Sequence, residues 1–177
     1  MRTASPQVHV EEQMIAMTTT TELAGFAELY ERHYEAVFRA ALRVTGNPAD
    51  AEDVLQTVFL RVLTRGSAIE AEAVSAAYLR RAAVNAAVDV LRRRAVQAAS
   101  AYDDRAPVAA SQPALLLKER LRRAIAALDG DDAALFLLRH VEGLSIEELA
   151  AMFQLQKNNV AVRLHRIRQR LQAELER

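Results

Sequence analysis

The stretch SIEELAAMFQLQKNNVAVRLHRIRQRL, residues 145–171, decides the fold of this chain. It reads as a short helix, a tight break and a longer basic helix. Ser145 followed by Glu148 is a capping box, in which hydroxyl and carboxylate each satisfy a backbone N–H left free at a helix start. Ile146, Leu149 and Ala150 give the short helix a small apolar face, and Phe153 and Leu155 bracket the break. Beyond it, Val160, Leu164, Ile167, Leu171 and Leu175 recur at helical spacing along one stripe. Arg163, His165, Arg166 and Arg170 lie largely off that stripe. Two helices at this spacing, the second basic, are what a helix-turn-helix needs to lay a helix into a major groove. An ordinary helical hairpin with a solvated basic face has the same pattern, so both readings stand at this point.

Working outward, the whole chain reads as helical. Ala, Leu, Arg and Glu dominate, Gly and Pro are few, and strand-like alternation is scarce. A first helix is expected over Leu23–Val44, stopped by Thr45-Gly46-Asn47-Pro48, where Gly46 suits a left-handed C-cap. A second follows over Pro48–Leu63, with Asp50, Glu52 and Asp53 in its favourable first turns. A third spans Ser75–Val96, with Leu79, Ala83, Ala86 and Val90 on one side and Arg81, Asn85, Asp89 and Arg92 on the other. Ala98–Pro113 is small, polar and Pro-containing, the composition of a flexible linker. Helices over Leu115–Leu128 and Asp131–Val141 then precede the pair at 145–171. The expected architecture is all-α: residues 1–21 disordered, a helical domain over 22–97, a linker over 98–113, and a helix-turn-helix domain over 114–177. Few contacts are expected across the linker.

Composition excludes several classes of function. The chain has no cysteine, so disulfides and thiolate metal sites are ruled out, which fits a reducing cytoplasm. No apolar run approaches the roughly 20 residues needed to span a bilayer. The four histidines are scattered, no metal-ligand spacing or Gly-rich phosphate loop is present, and neither an enzyme, a metal nor a cofactor is expected. Net charge is zero, yet the charge is arranged in blocks. From Glu22 to Glu72 nine acids face five bases; Tyr78–Arg94 and Lys157–Arg177 each carry a balance of +4. One acidic and two basic blocks suggest two kinds of partner, one a polyanion. The neutral total predicts weak DNA binding by the free protein, because counterion release scales with the phosphates neutralised.

Three segments in order carry a family resemblance: DAEDVLQTVFLRVL (50–63), YLRRAAVNAAVDVLRRR (78–94) and RHVEGLSIEELA followed by VRLHRIRQRL (139–171). Together they resemble the extracytoplasmic-function (ECF) group of the sigma-70 family, which keeps only the second and fourth sigma domains. The resemblance implies a cytoplasmic sigma factor that binds core RNA polymerase and directs promoter-specific initiation. The alternative is a helix-turn-helix regulator that never engages polymerase, and the 50–63 segment separates the two.

On the resemblance, Asp50, Asp53, Gln56, Thr57 and Leu60 would dock on the clamp coiled coil of the polymerase. Arg80, Arg81, Asn85, Arg92 and Arg93 would meet the upstream promoter element called −10, with a flipped base held by the loop at about 65–74. That loop, TRGSAIEAEAV, has no aromatic residue, and Tyr78 stands at the family's Trp position, where it reads as a core residue. Lys157, Asn158, Asn159, Ala161, Val162, Arg163, His165 and Arg166 would meet the −35 element, Arg163 and Arg166 mainly through phosphates. Ala161 and Val162 replace polar residues of the family pattern, and Gln154 replaces the Gly of the helix-turn-helix break. Members of the group are commonly held by an anti-sigma factor, which the resemblance makes a candidate partner.

Overall fold

The computed structural model describes the backbone of residues 6–65, 74–101 and 113–176, and the side chains of 23–64, 74–98 and 113–176. Seven helices account for the described elements: α1 Pro6–Thr45, α2 Pro48–Arg65, α3 Ala76–Ala101, α4 Pro113–Ala126, α5 Gly130–His140, α6 Ile146–Phe153 and α7 Lys157–Leu175. The helix α1 begins at Pro6, well before the expected start at Leu23. Gln7, Glu11, Glu12, Gln13, Met14, Ala16 and Met17 lose little freedom in a helix, and this local propensity outweighs the lack of apolar periodicity.

The corner between α1 and α2 follows from four residues. Gly46 has φ +67° and donates its N–H to Leu42 O, closing α1 in the left-handed conformation that glycine adopts without strain. A Cβ at Gly46 would also collide with the Arg122 guanidinium, which rests on the corner. Buried Thr45 donates to Ala41 O and accepts from the Asn47 N–H. The Asn47 amide oxygen accepts from the N–H groups of Ala49 and Asp50 and so starts α2. Val54, Val58, Phe59 and Val62 turn inward, and Phe59 receives the rings of Phe26 and Tyr30 edge-on. Tyr30 and Tyr34 stack on each other and stay partly exposed.

In the second unit, α4, α5 and α6 pack around α7, whose Val160, Leu164, Ile167 and Leu171 are buried. The capping box is present as read: Glu148 N–H donates to Ser145 Oγ, and Ser145 N–H donates to Glu148 Oε2. The break between α6 and α7 turns on Gln154 at φ 55°, ψ 41°, the single non-glycine with positive φ among the described residues.

The expectation of few contacts between the two halves does not hold. Helix α3 packs on α1 and α2 and also on α4 and α5. The reason is a second apolar stripe. Besides Leu79, Ala83, Ala86 and Val90, the side chains of Val84, Ala87, Val88 and Leu91 are buried. At 100° per residue the two sets span more than half of the helix circumference, too wide for one neighbouring layer. One core therefore runs from α1 to α7.

Because an L-residue in the left-handed helical region costs about 1–2 kcal/mol, Gln154→Gly should stabilise the fold. The gain expected is below that figure, since glycine also loses more backbone entropy on folding. Urea unfolding should show a higher midpoint with an unchanged slope; a lower midpoint would mean that the Gln154 side chain contributes more than its backbone strain removes.

Candidate polymerase and nucleic-acid interfaces

Helix α2 carries one exposed stripe that its own protein leaves uncovered. Asp53, Gln56 and Leu60 are exposed and spaced along one side, with Thr57 half-buried beside them. Leu60 is 58% exposed, and Leu63, one turn further, is 43% exposed. Leu63 is absent from the set expected on sequence, although its spacing from Leu60 and Gln56 would have revealed it. Asp50 does not belong to this surface. Its carboxylate is turned toward α3 and pairs with Arg94 at 2.6 Å, with 16% of the side chain exposed. Thus Asp50 joins α2 to α3, and Arg94 is engaged within the chain.

The arginines of α3 divide into two groups. Arg93 is exposed and Asn85 half-buried. Arg94 is held by Asp50 on α2, whereas Arg80, Arg81 and Arg92 point into the second unit. Arg92 donates through Nε to Ala126 O at 3.2 Å and through Nη2 to Leu128 O at 2.6 Å, at the C-terminal end of α4. Arg81 donates to Met152 O at 2.9 Å near the end of α6, reaches Asp131 at 3.3 Å and lies 4.1 Å above the Phe153 ring. Arg80 sits 3.9 Å from Glu142, which also binds Arg43 at 2.8 Å. The Glu142 side chain is only 6% exposed, while Arg43 and Arg80 remain 48% and 41% exposed, so a buried carboxylate is reached by two arginines that stay partly in water. The base-holding loop expected at about 65–74 falls mostly on residues 66–73, outside the described residues. Tyr78 packs against the core, as its sequence context implies.

On α7 the buried stripe fixes what faces outward. Opposite it lie Asn158, Val162, His165 and Gln169, all exposed. Asn159, Arg163, Arg166 and Arg170 form one flank of that stripe; Lys157, Ala161 and Arg168 form the other. Arg163 donates to Asp132 at the start of α5, and Arg170 lies 3.8 Å from the same carboxylate. Lys157 pairs with Glu147 at 3.0 Å, both side chains well exposed. Ala161 is half-buried and lines a cleft with Arg139, His140, Ile146, Leu164 and Arg168. The structure therefore separates Ala161 from the outward stripe in which sequence reasoning had grouped it. It adds Gln169 and Arg168, whose phase relative to Val160 and Leu164 was readable in the sequence.

In that cleft, burial first and then the charges of Arg168 and Arg139 hold the His140 imidazole below its ordinary value of 6.5. Among the described residues no group of His, Asp or Glu could hold a metal ion, and no helix is long and apolar enough to cross a membrane.

Two helical units, the second a helix-turn-helix with a polar outward face on its last helix, define the class of this protein. Residues 29–104 match the family model of Sigma-70 region 2, and residues 118–171 match that of Sigma-70, region 4. The chain belongs to the sigma-70 family, within its extracytoplasmic-function group. It is 32% identical to the RNA polymerase sigma-E factor of Streptomyces coelicolor over 161 residues, covering 87% of this chain and 88% of that one. It is 32% identical over 157 residues to the ECF RNA polymerase sigma factor SigE of Mycolicibacterium smegmatis, covering 84% of this chain but only 61% of that longer relative. Among solved structures, CnrH in complex with the cytosolic domain of CnrY is similar at a TM-score of 0.51 and 25% identity, covering 85% of this chain and 87% of that one.

The lowered His140 pKa has a sign. The unfolded chain binds the proton more tightly, so stability from this site is full above about 6.5 and declines as pH falls through the folded value. His140→Gln should remove that part of the acid sensitivity. Thermal melts of both proteins from pH 7 downward should converge in slope only if another group is responsible.

Proposed function

We propose that this chain is a sigma factor that binds core RNA polymerase and directs promoter-specific transcription initiation. The observation that carries this reading is the match to both sigma regions, in order, over 29–104 and 118–171. The exposed α2 stripe supports it independently. A regulator that only bound DNA would have no use for Leu60 and Leu63 held in water beside Asp53 and Gln56.

Each surface has a physical task. On α2, Leu60 and Leu63 supply apolar area to bury against polymerase, while Asp53 and Gln56 give charge and hydrogen-bond complementarity around it. On α3, Arg80, Arg81, Arg92 and Arg93 offer charge to the phosphates of the −10 element, and Asn85 an edge contact to a base. On α7, Asn158, Val162 and His165 face the bases of the −35 element, with Val162 suited to a thymine methyl. Asn159, Arg163 and Arg166 lie on the flank, where the groove wall brings phosphates close. No covalent chemistry is required of the protein; its work is binding and positioning. The relative CnrH was solved with the cytosolic domain of CnrY, which makes a protein that covers these faces a candidate further partner.

Run-off transcription with core polymerase and a promoter library tests the reading; absence of promoter-dependent transcripts would leave the regulator alternative. Asp53→Arg with Gln56→Ala should weaken core binding at least tenfold, since like charges placed together cost several kcal/mol. Circular dichroism should stay unchanged. Normal core binding by the folded variant would remove α2 from the interface.

On promoter DNA, Arg166→Ala should weaken all sequences about equally and lower the salt slope by about one unit. Val162→Ser should instead alter preference at one or two positions of the −35 element, at roughly 1–3 kcal/mol. Holoenzyme binding to single-base promoter variants at two salt concentrations distinguishes them. An unchanged preference profile for Val162→Ser would mean that α7 docks in a different rotation.

A further inference from the structure

One carboxylate lies beside the arginine flank of α7. Asp132 stands in the first turn of α5, where negative charge is favoured. Ala133, Ala134 and Leu135 directly after it are buried, so the backbone that carries it is fixed. Its side chain is 13% exposed. One oxygen, Oδ1, accepts from Arg163 Nε–H, and the other, Oδ2, lies 3.8 Å from Arg170, two turns further along α7. Arg163 stays partly in water and shares an open groove with Asn159, Val162, Arg166 and Arg170. Among the described residues, the Arg163 side chain has no other hydrogen-bond or ion-pair partner, and the Arg166 side chain has none. A guanidinium carries its N–H donors in a planar fork. The bond to Asp132 uses the Nε edge and leaves the two terminal nitrogens available.

We infer that Asp132 is a positioning residue for promoter binding: it holds the Nε edge of Arg163 so that the terminal nitrogens are set in advance for a DNA phosphate. This deepens the sigma reading and rests on it, since it takes the α7 flank to meet the backbone of the −35 element. An unrestrained arginine gives up rotamer freedom when it closes on a phosphate, and one already held gives up less. Charge alone works the other way, because a carboxylate beside a polyanion repels it. Arg163, Arg166 and Arg170 are three cations against that one anion, so the flank stays attractive. The sign of the Asp132 effect on DNA affinity therefore separates positioning from mere proximity. Lysine at 163 would invert that sign. A compact ammonium on a flexible stem has no second edge, so carboxylate and DNA would compete for it.

A double-mutant cycle on the holoenzyme tests this. The probe is duplex DNA carrying a promoter recovered from the run-off library, with a scrambled duplex as control, at two salt concentrations. With arginine at 163, Asp132→Ala should weaken promoter binding about tenfold, a scale common for coupling between contacting residues. The salt slope should fall by about one unit as Arg163 ceases to neutralise a phosphate. In the Arg163→Lys background, the same Asp132→Ala change should strengthen binding. Arg166→Ala should lose the same factor with or without Asp132, because nothing holds Arg166. Asp132→Asn keeps the shape and an oxygen that accepts from Nε, and it carries the cycle if the alanine variant fails to fold. It should stay within about twofold of the parent with arginine at 163 and gain affinity in the Arg163→Lys background.

A gain in affinity for Asp132→Ala with arginine in place would make the carboxylate a simple repellent and overturn the proposal. So would equal effects of the Asp132 change in both backgrounds. A lowered melting temperature with unchanged affinity and salt slope would leave Asp132 only an ion pair joining α5 to α7, and would overturn it too. Failure of the underlying sigma reading shows separately. A parent holoenzyme with no preference for the promoter over the scrambled duplex ends that reading and this inference together. A parent that keeps the preference while the two changes simply add ends this inference alone.

Discussion

A helix that ends against its own protein must find partners for its last carbonyl oxygens, and in this chain those partners are arginines from another unit. Arg92 serves the end of α4, and Arg81 reaches the end of α6. Charge-assisted bonds of this kind are stronger than neutral ones, and their geometry fixes which carbonyl is addressed. They become possible because α3 is apolar on two sides, so that α1 and α2 cover one and α4 and α5 the other. Without the second stripe the carbonyl ends would face water, and the arginines would have no reason to turn inward.

That arrangement makes the other surfaces intelligible. The α2 stripe with Leu60 and Leu63 is left exposed, free for a partner. The outward face of α7 is set by its buried stripe, and Asp132 holds Arg163 and neighbours Arg170 along one flank. The polar groups of the protein thus fall into two kinds: those held within the chain, such as Asp50, Arg92 and Arg94, and those held outward, such as Asp53, Asn158 and His165.

Local features were legible in the sequence because their causes are local. The Ser145–Glu148 box, the Gly46 cap and the α7 stripe each depend on a few neighbouring residues. Their order along the chain also carried the family. What the sequence concealed depended on distant partners. Val84, Val88 and Leu91 form a readable stripe, but periodicity does not say that α4 and α5 cover it. Asp50 reads as a helix-start carboxylate whether it faces solvent or Arg94, and only packing decides. Ala161 reads as part of a recognition face until the cleft beside His140 turns it aside. The early start of α1 was missed because propensity without periodicity was given too little weight.

The side chains that join the two units are also those proposed to meet the promoter, and this constrains how the chain can change over generations. A substitution at Arg81 or Arg92 that alters DNA contacts must also leave a carbonyl at Met152, Ala126 or Leu128 without its donor. Descendants that acquire new target preferences on α3 will therefore loosen the packing of the two units at the same time, unless Asp131 or Glu142 changes in compensation. On α7 Asn158, Val162 and His165 are exposed and carry no such tie. Divergence of promoter choice should accordingly be quicker there, and correlated pairs of substitutions should accumulate across the α3 seam.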